Sequence, residues 1–377
     1  AATTVAAHDI TASASLVPGI VVTGGGAVTL RRLVVDHSQV PGQLHETARF
    51  TGVATLLLDS LRVDAAGGIV RLGGSGVGTA ELRAPVLNGA AVEVSGLAQL
   101  RVTGGAITAP PKKALIATGI PSVTVAGTQV LAASSLGGGD LGIAIAHADS
   151  ANVSDVAVHG IAGLPVDCSI VGGRGAVRVD TTRAVVLQRN NVLDVACYGI
   201  MVYESEAATV SDNHVTGVQV SGMSLGYTRL VNMAGNVVRN VLRRPGATVY
   251  GAAGISVAWG DTLRSTGDSV VNVGATGLTV YSMSAGFVDR LVVLLPDRDS
   301  INGVAVYFTK GRYVLTNSHL ADTRSNNLVS VYGTTTRLFS RGNRLERSGY
   351  NGISTWGSPS GNPVVGFADT LVSVADT

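Results

Sequence analysis

The sequence predicts an all-β chain wound as a parallel β-helix, a solenoid of about 14 or 15 coils, and three observations carry that prediction. The first is composition. Of 377 residues 49 are glycine and 46% are hydrophobic, while only 4% are aromatic and 14% charged, so the interior is built from small and β-branched side chains in thin layers. The second is that no segment sustains an apolar stripe at i, i+3 and i+4, which argues against a helical bundle. The third is an internal repeat, the signature of stacked coils rather than of several separate domains.

The repeat is plainest in the second half. A ladder position recurs at Asn190, Asn213, Asn236, Asp268, Leu291, Ser318 and Asn343, with spacings of 23, 23, 32, 23, 27 and 25 residues. A second polar or glycine position follows four residues on, at Asp194, Gly217, Asn240, Asn272, Asp322 and Arg347. Next comes a short strand that reads Gly-apolar-x-apolar, beginning at Gly199, Gly222, Gly254, Gly277, Gly303 and Gly352, with a glycine-free version at Val329. A weaker repeat runs through the first half, anchored at Leu30, Leu58, Leu82, Val102, Val125 and Val153. From Leu30 to Ser340 there are 13 anchors over 310 residues, a mean spacing near 26. Asparagine suits such a corner because Asn and Gly tolerate αL angles and stacked amides can bond along the column. Residues 1–377 are therefore expected to form one β-helix domain, near 70 Å long by strand spacing. Residues 1–180 supply degenerate coils rich in Gly, Ala and Val, and 181–360 supply regular coils.

With these residues in view, the chain resembles the right-handed parallel β-helix repeat family, the pectin-lyase-like superfamily. That family's motif is Asn-x-apolar, then a polar residue, then Gly-apolar-x-apolar. The resemblance covers most of residues 20–370 and is strongest from 180 onward. It implies a right-handed helix. It does not imply one activity, because the family includes pectate and alginate lyases, polysaccharide hydrolases, epimerases, phage tailspikes and non-enzymatic surface proteins.

Composition and motifs exclude several functions. A net charge of +2 argues against a nucleic-acid binder that works by bulk charge. Apolar runs such as 291–295 are too short to cross a bilayer, so no membrane span is expected. The glycine clusters at 72–76 and 137–139 lack the Gly-Lys-Ser/Thr of a nucleotide loop and read as corners. His214 and His319 share one outward position but stand four coils apart, about 19 Å by strand spacing, too far to share an ion. No metal or other cofactor is read from the sequence, and calcium dependence is not derivable from it. Cys168 and Cys197 lie 29 residues apart, about one coil, so they read either as a disulfide or as two buried thiols in adjacent layers.

Two features mark candidate site residues. Phe50 is the one aromatic residue before Tyr198 although the chain holds 16, so aromatic side chains gather in the second half. There, one place in each Gly-apolar strand holds Tyr203, Tyr281, Tyr307, Tyr332 and Trp356, while Gly226 and Ala258 are followed directly by Tyr227 and Trp259. Side chains alternate faces along a strand, so these point outward in a column about 30 Å tall on which sugar rings could stack. The second feature is a pair of long insertions, one with Arg243, Arg244 and Tyr250, the other with Asp297, Arg298 and Asp299. They are expected to flank a cleft over Leu278 to Tyr281.

The corner beyond that strand carries Glu206, Arg229 and Asp261 in one column, followed by Lys310 with Arg312. Glu206 and Asp261 would stand about 10 Å apart, at the upper limit for an inverting hydrolase. A lyase or epimerase suits these residues better. Arginines (Arg229, Arg243, Arg244, Arg298) would neutralise a sugar carboxylate, and Lys310, Arg312 or Tyr307 would take the adjacent proton.

Two readings follow. In one, the chain is an exported protein, secreted or at the cell surface, that binds an extracellular acidic polysaccharide along its aromatic face, whether or not it also cleaves it by β-elimination. In the other it is a non-catalytic stalk, adhesin or assembly subunit whose β-helix is a scaffold for protein contacts. The last residues, 367–377, read as a further coil cut short. An uncapped stack exposes strand edges, so more chain or a partner subunit is expected to continue it.

Overall fold

The computed structural model describes residues 4–13, 18–36, 44–74, 78–111, 113–131, 142–160, 175–241, 253–295, 302–307, 310–331, 335–350, 352–356 and 370–374. Of residues 310, 329–331, 335–337, 354–356 and 370–374 the backbone alone is described. The chain is a right-handed parallel β-helix, the hand that parallel strand connections take. It forms two compact units, Ala1–Ala196 and Cys197–Thr377. No helix among the described residues is long and apolar enough to cross a membrane.

Each coil contributes one strand of a class that pairs in register with its counterparts. The first unit supplies Thr4–His8, Ala27–Arg31, Thr55–Asp59, Thr79–Arg83, Gln99–Thr103, Ser122–Ala126, Ser150–Ser154 and Ala184–Gln188. The second supplies Ala207–Ser211, Leu230–Ala234, Thr262–Thr266, Ala285–Asp289, Lys310–Thr316, Thr335–Arg341 and Thr370–Val374. These 15 strands mark as many coils, in line with the spacing of the repeat. The first-half anchors Leu30, Leu58, Leu82, Val102, Val125 and Val153 stand in one register column, all buried. Val210, Met233, Ser265, Val288, Leu315 and Ser340 form the equivalent column of the second unit.

The ladder is an internal one. Asn213, Asn236, Asp268, Leu291, Ser318 and Asn343 are all buried. Four of them bond towards the ladder residue of the next coil: the Asn213 amide N–H and Nδ2 donate to Asn236 Oδ1 at 3.1 and 3.0 Å, and those of Asn236 donate to Asp268 Oδ1, both at 2.8 Å. Further on, the Leu291 N–H donates to Ser318 Oγ at 3.0 Å and the Ser318 N–H to Asn343 Oδ1 at 2.9 Å. The ladder thus satisfies backbone donors that the corner leaves without a strand partner. The αL angle falls one residue earlier than expected, at Asp212, Gly235, Gly267, Arg290, Asn317 and Gly342. The second polar position is itself αL throughout, at Asp194, Gly217, Asn240, Asn272, Asp322 and Arg347. In the early coils of the first unit the ladder place holds Leu33 and Leu61, which fill the corner with apolar volume, whereas at its end Asn190 is a buried amide that accepts from the Val156 N–H at 3.1 Å.

Glycine opens the next strand because the coils approach too closely there for a side chain. A Cβ on Gly222 would lie 2.3 Å from Val238 Cγ1 and 2.6 Å from the Gly254 carbonyl oxygen, and Gly254 meets Val270 and Gly277 in the same way. Cys197, just before this strand, is buried and disulfide-bonded. The chain's other cysteine, Cys168, lies outside the described residues.

Candidate functional site

The candidate site lies in the second unit, on the strands Tyr198–Tyr203, Ser221–Gly226, Ala253–Ala258, Thr276–Tyr281 and Val304–Tyr307 and the corner that follows them. Their last residues stack in register as Tyr203, Gly226, Ala258, Tyr281 and Tyr307. The next residue is αL in each of the first four coils: Glu204, Tyr227, Trp259 and Ser282 have φ of 51°, 51°, 54° and 51°. Each corner amide donates to the last strand carbonyl of the following coil, for example Tyr227 N–H to Ala258 O and Trp259 N–H to Tyr281 O, both at 2.9 Å. A bulky aromatic rarely takes this angle, since its Cβ crowds the carbonyl oxygen.

The two αL aromatics complete a continuous ladder of rings. Centroids are 5.8 Å apart for Tyr203 and Tyr227, 4.7 Å for Tyr227 and Trp259, and 5.2 Å for Trp259 and Tyr281. Tyr227 and Trp259 lie nearly parallel, 13° apart, whereas the outer pairs are tilted by 53° and 66°. Tyr281 packs in turn against Tyr307. Tyr227 is 51% exposed and Trp259 38%. Small residues at Gly226 and Ala258 make this arrangement fit: a Cβ on Gly226 would sit 2.7 Å from Tyr203 Cζ.

The central rings therefore spend a face on each other and present edges to solvent. That corrects the expectation of a row of open faces. Tyr307, in register with Tyr281, is only 8% exposed, so it offers little of the open surface expected. The ladder place expected for Tyr332 is taken by Val331, which stands opposite Tyr307 and Trp356. Tyr332 itself, with Arg243, Arg244 and Arg298, lies outside the described residues, and Trp356 is described by its backbone alone.

Beside the ring ladder the corner carries charge. The Leu230 N–H donates to the Glu206 carbonyl, Asp261 N–H to the Arg229 carbonyl and Ala285 N–H to the Asp261 carbonyl, at 2.9, 2.9 and 2.8 Å, so Glu206, Arg229 and Asp261 do form one column on successive coils. All three are exposed. The column continues as Ser284 and Gly311, and Lys310 and Arg312 are not on the corner: both belong to the strand Lys310–Thr316. Arg312 is exposed there with its guanidinium 4.7 Å from the Phe339 ring centroid. Lys310 is described by its backbone alone.

Next to the rings lies a floor that the repeat motif does not single out. Outward places on these strands hold Met201, Ser224, Ser256, Thr279 and Ala305 in one register column. Although they point away from the core, Met201, Ser224, Thr279 and Ala305 are buried. The signal was present in the small and hydroxylated residues at outward positions, where the neighbouring strands place Asn232, Arg264 and Phe287. At the start of the same strands burial pushes the Tyr198 hydroxyl up to about 12, so it stays protonated. No group of three or more His, Cys, Asp or Glu among the described residues could hold a metal ion.

A family model described as a right handed beta helix region matches residues 136–289. Among solved structures, the periplasmic alginate epimerase AlgG is similar at 10% identity with a TM-score of 0.45, covering 80% of this chain and 76% of that one. A single mutant of AlgG is similar at 11% identity and a TM-score of 0.46, covering 80% and 77%. No curated protein matches.

Proposed function

On a right-handed β-helix with these rings at one corner, we propose that the chain binds a polysaccharide along the ridge from Tyr203 to Tyr281 and the hydroxyl-lined floor beside it. The observation that carries this reading is the pair Tyr227 and Trp259, two large aromatics held at positive φ and left 51% and 38% exposed. Strain of this kind, of order 1 kcal/mol or more per residue, persists where function or surrounding structure demands it. Ring edges with the phenol O–H and indole N–H, the Ser256 hydroxyl, and the charged column of Glu206, Arg229 and Asp261 together suit a polymer dense in hydroxyls. The disulfide at Cys197 supports an exported protein, secreted or at the cell surface.

Cleavage by β-elimination is the finer part of the proposal. Arg229, between two acids, would neutralise a sugar carboxylate, and Lys310 is the remaining candidate base, since Tyr307 is buried and Arg312 lies on Phe339. Ultraviolet absorbance of unsaturated products, measured on a panel of polyuronates, tests this step separately from binding.

Titration of the panel against Trp259 fluorescence, in a Trp356→Phe background that leaves one tryptophan, tests binding itself. Tyr227→Ala and Trp259→Ala should each weaken binding by roughly tenfold, the loss of about 1 kcal/mol or more that an aromatic contact provides. Unchanged affinity in both, read calorimetrically for the Trp259 variant, overturns the reading. One observation favours the alternative of a non-catalytic scaffold: Tyr227 and Trp259 stack face to face at 4.7 Å, close to the rise between coils, and so shield the corner with no ligand. On that alternative the same variants lower thermal stability and bind no polymer differently from the parent.

A further inference from the structure

Arginines in the described structure are mostly tied to acids. Arg32 pairs with Asp9, Arg71 with Glu46 and Glu93, Arg83 with Glu81, Arg189 with Asp155, and Arg347 with Asp322. Of the exposed arginines with no ion pair among the described residues, three lie together on one face, whereas Arg31, Arg183, Arg229 and Arg239 lie elsewhere. On the outer side of the strands Thr262–Thr266, Ala285–Asp289, Lys310–Thr316 and Thr335–Arg341, the exposed Arg264, Arg312 and Arg341 have no carboxylate partner within 4.0 Å among the described residues. The acid on that face, Asp289, is already engaged: its Oδ1 accepts from Thr316 Oγ1 and Asn317 Nδ2, both at 2.8 Å, and Arg290 stands 3.2 Å from Oδ2.

Aromatic surface is interleaved with these cations. Arg264, Phe287, Val314 and Phe339 form one register column, about 14 Å long at three coil rises. Phe287 is 41% exposed. Arg312, on the same face, lies over the Phe339 ring at 4.7 Å. A guanidinium resting over an aromatic ring can still donate from its N–H groups to a carboxylate, with less side-chain freedom left to lose on binding.

We propose that this face is a second polymer-binding surface, separate from the ring ladder, and that its ligand is an anionic polysaccharide whose carboxylates pair with Arg264, Arg312 and Arg341. Three cations without ion pairs, gathered beside an acid already engaged, are complementary to an anion. The straight column with Phe287 and Phe339 two coils apart fits an extended, repeating chain whose sugar faces pack on the rings. An acidic peptide would gain no strand pairing here, because these strands already have parallel neighbours on both sides. The proposal rests on the polysaccharide reading for the class of ligand and not for the position of the site.

Isothermal titration of the full chain with polygalacturonate tests it, with neutral dextran and polyglutamate as comparison polymers. Arg264→Ala and Arg312→Ala should each weaken polygalacturonate binding by roughly tenfold, and Phe287→Ala should weaken it as well. Arg312→Lys keeps the charge but loses the planar fork, and should fall between parent and alanine variant. Binding should weaken with added salt, and dextran should not bind this face. Circular dichroism of each variant reads whether the fold is kept. If these variants bind as the parent does while Trp259→Ala loses binding, the second surface is overturned and the ridge reading stands. If they lose binding and Trp259→Ala does not, the second surface stands and the ridge reading falls. Absence of polygalacturonate binding in the parent overturns the proposal, as does polyglutamate binding of equal strength and equal sensitivity to the variants.

Discussion

Asp268 shows how one residue type changes its chemistry inside a repeat. It occupies a ladder place that asparagine holds three coils in a row before it, is fully buried, and accepts at Oδ1 from Asn236 and at Oδ2 from Ser265 at 2.6 Å. Burial raises its pKa, opposed by those hydrogen bonds and reinforced by the nearby Asp212 charge. A raised folded-state pKa means that the folded chain holds the proton more tightly than the unfolded one. The stabilisation is complete below the unfolded carboxylate pKa and is lost as pH rises through the folded value. Asp268→Asn should therefore flatten the pH dependence of the thermal midpoint between mild acid and neutral pH and leave the chain at least as stable at neutral pH. Asp268→Ala should cost about 1–3 kcal/mol, because the Asn236 donors and the Ser265 hydroxyl lose their acceptor. A steeper pH profile in the asparagine variant would show the sign to be wrong. Aromatic residues at positive φ, Tyr227 and Trp259, were not readable as such from sequence, because αL is foreign to their type and only the stacked neighbours hold them there.

At the level of the strand, the glycine column sets the closeness of the coils. Gly222, Gly254 and Gly277 each leave space that the next coil's carbonyl oxygen and a valine methyl occupy. A Cβ on Gly254 would lie 2.3 Å from Val270 Cγ1 and 2.8 Å from the Gly277 carbonyl oxygen. Gly254→Ala should destabilise by about 1–3 kcal/mol, as overpacking does, visible as a lowered urea midpoint. A change within 0.5 kcal/mol would show that the coils can part at little cost. The strand Leu328–Val331 marks the limit of the motif. No glycine opens it, so the motif places it one residue late; Asn327 stands where the other coils have glycine, and its carbonyl oxygen lies 2.5 Å from the Cβ place of Gly303. Lys310 is off the corner because its strand begins two residues earlier than the preceding one, whose first residue, Ala285, stands opposite Arg312.

At the level of the whole molecule the repeat makes stability close to one-dimensional, each coil resting on its neighbours. Removing residues 214–236, one ladder interval of the second unit, would bring Asn213 against the Asp268 coil in the place Asn236 now holds. That shortened chain should keep its β-sheet circular dichroism and unfold with a smaller denaturant slope, because less surface is exposed. Loss of the β signal would mean that coils are not interchangeable.

The sequence by itself determined the coil: the anchors, the ladder, the second polar position and the glycine-led strand are periodic, and each is dictated by contacts with the same place one coil away. Tertiary structure alone decided what the outer surfaces offer. Ring faces turned on one another, outward serines and threonines sheltered from water, and three arginines left without acids depend on register across coils and on what lies beside each side chain. A linear pattern records spacing, and those relations run across it.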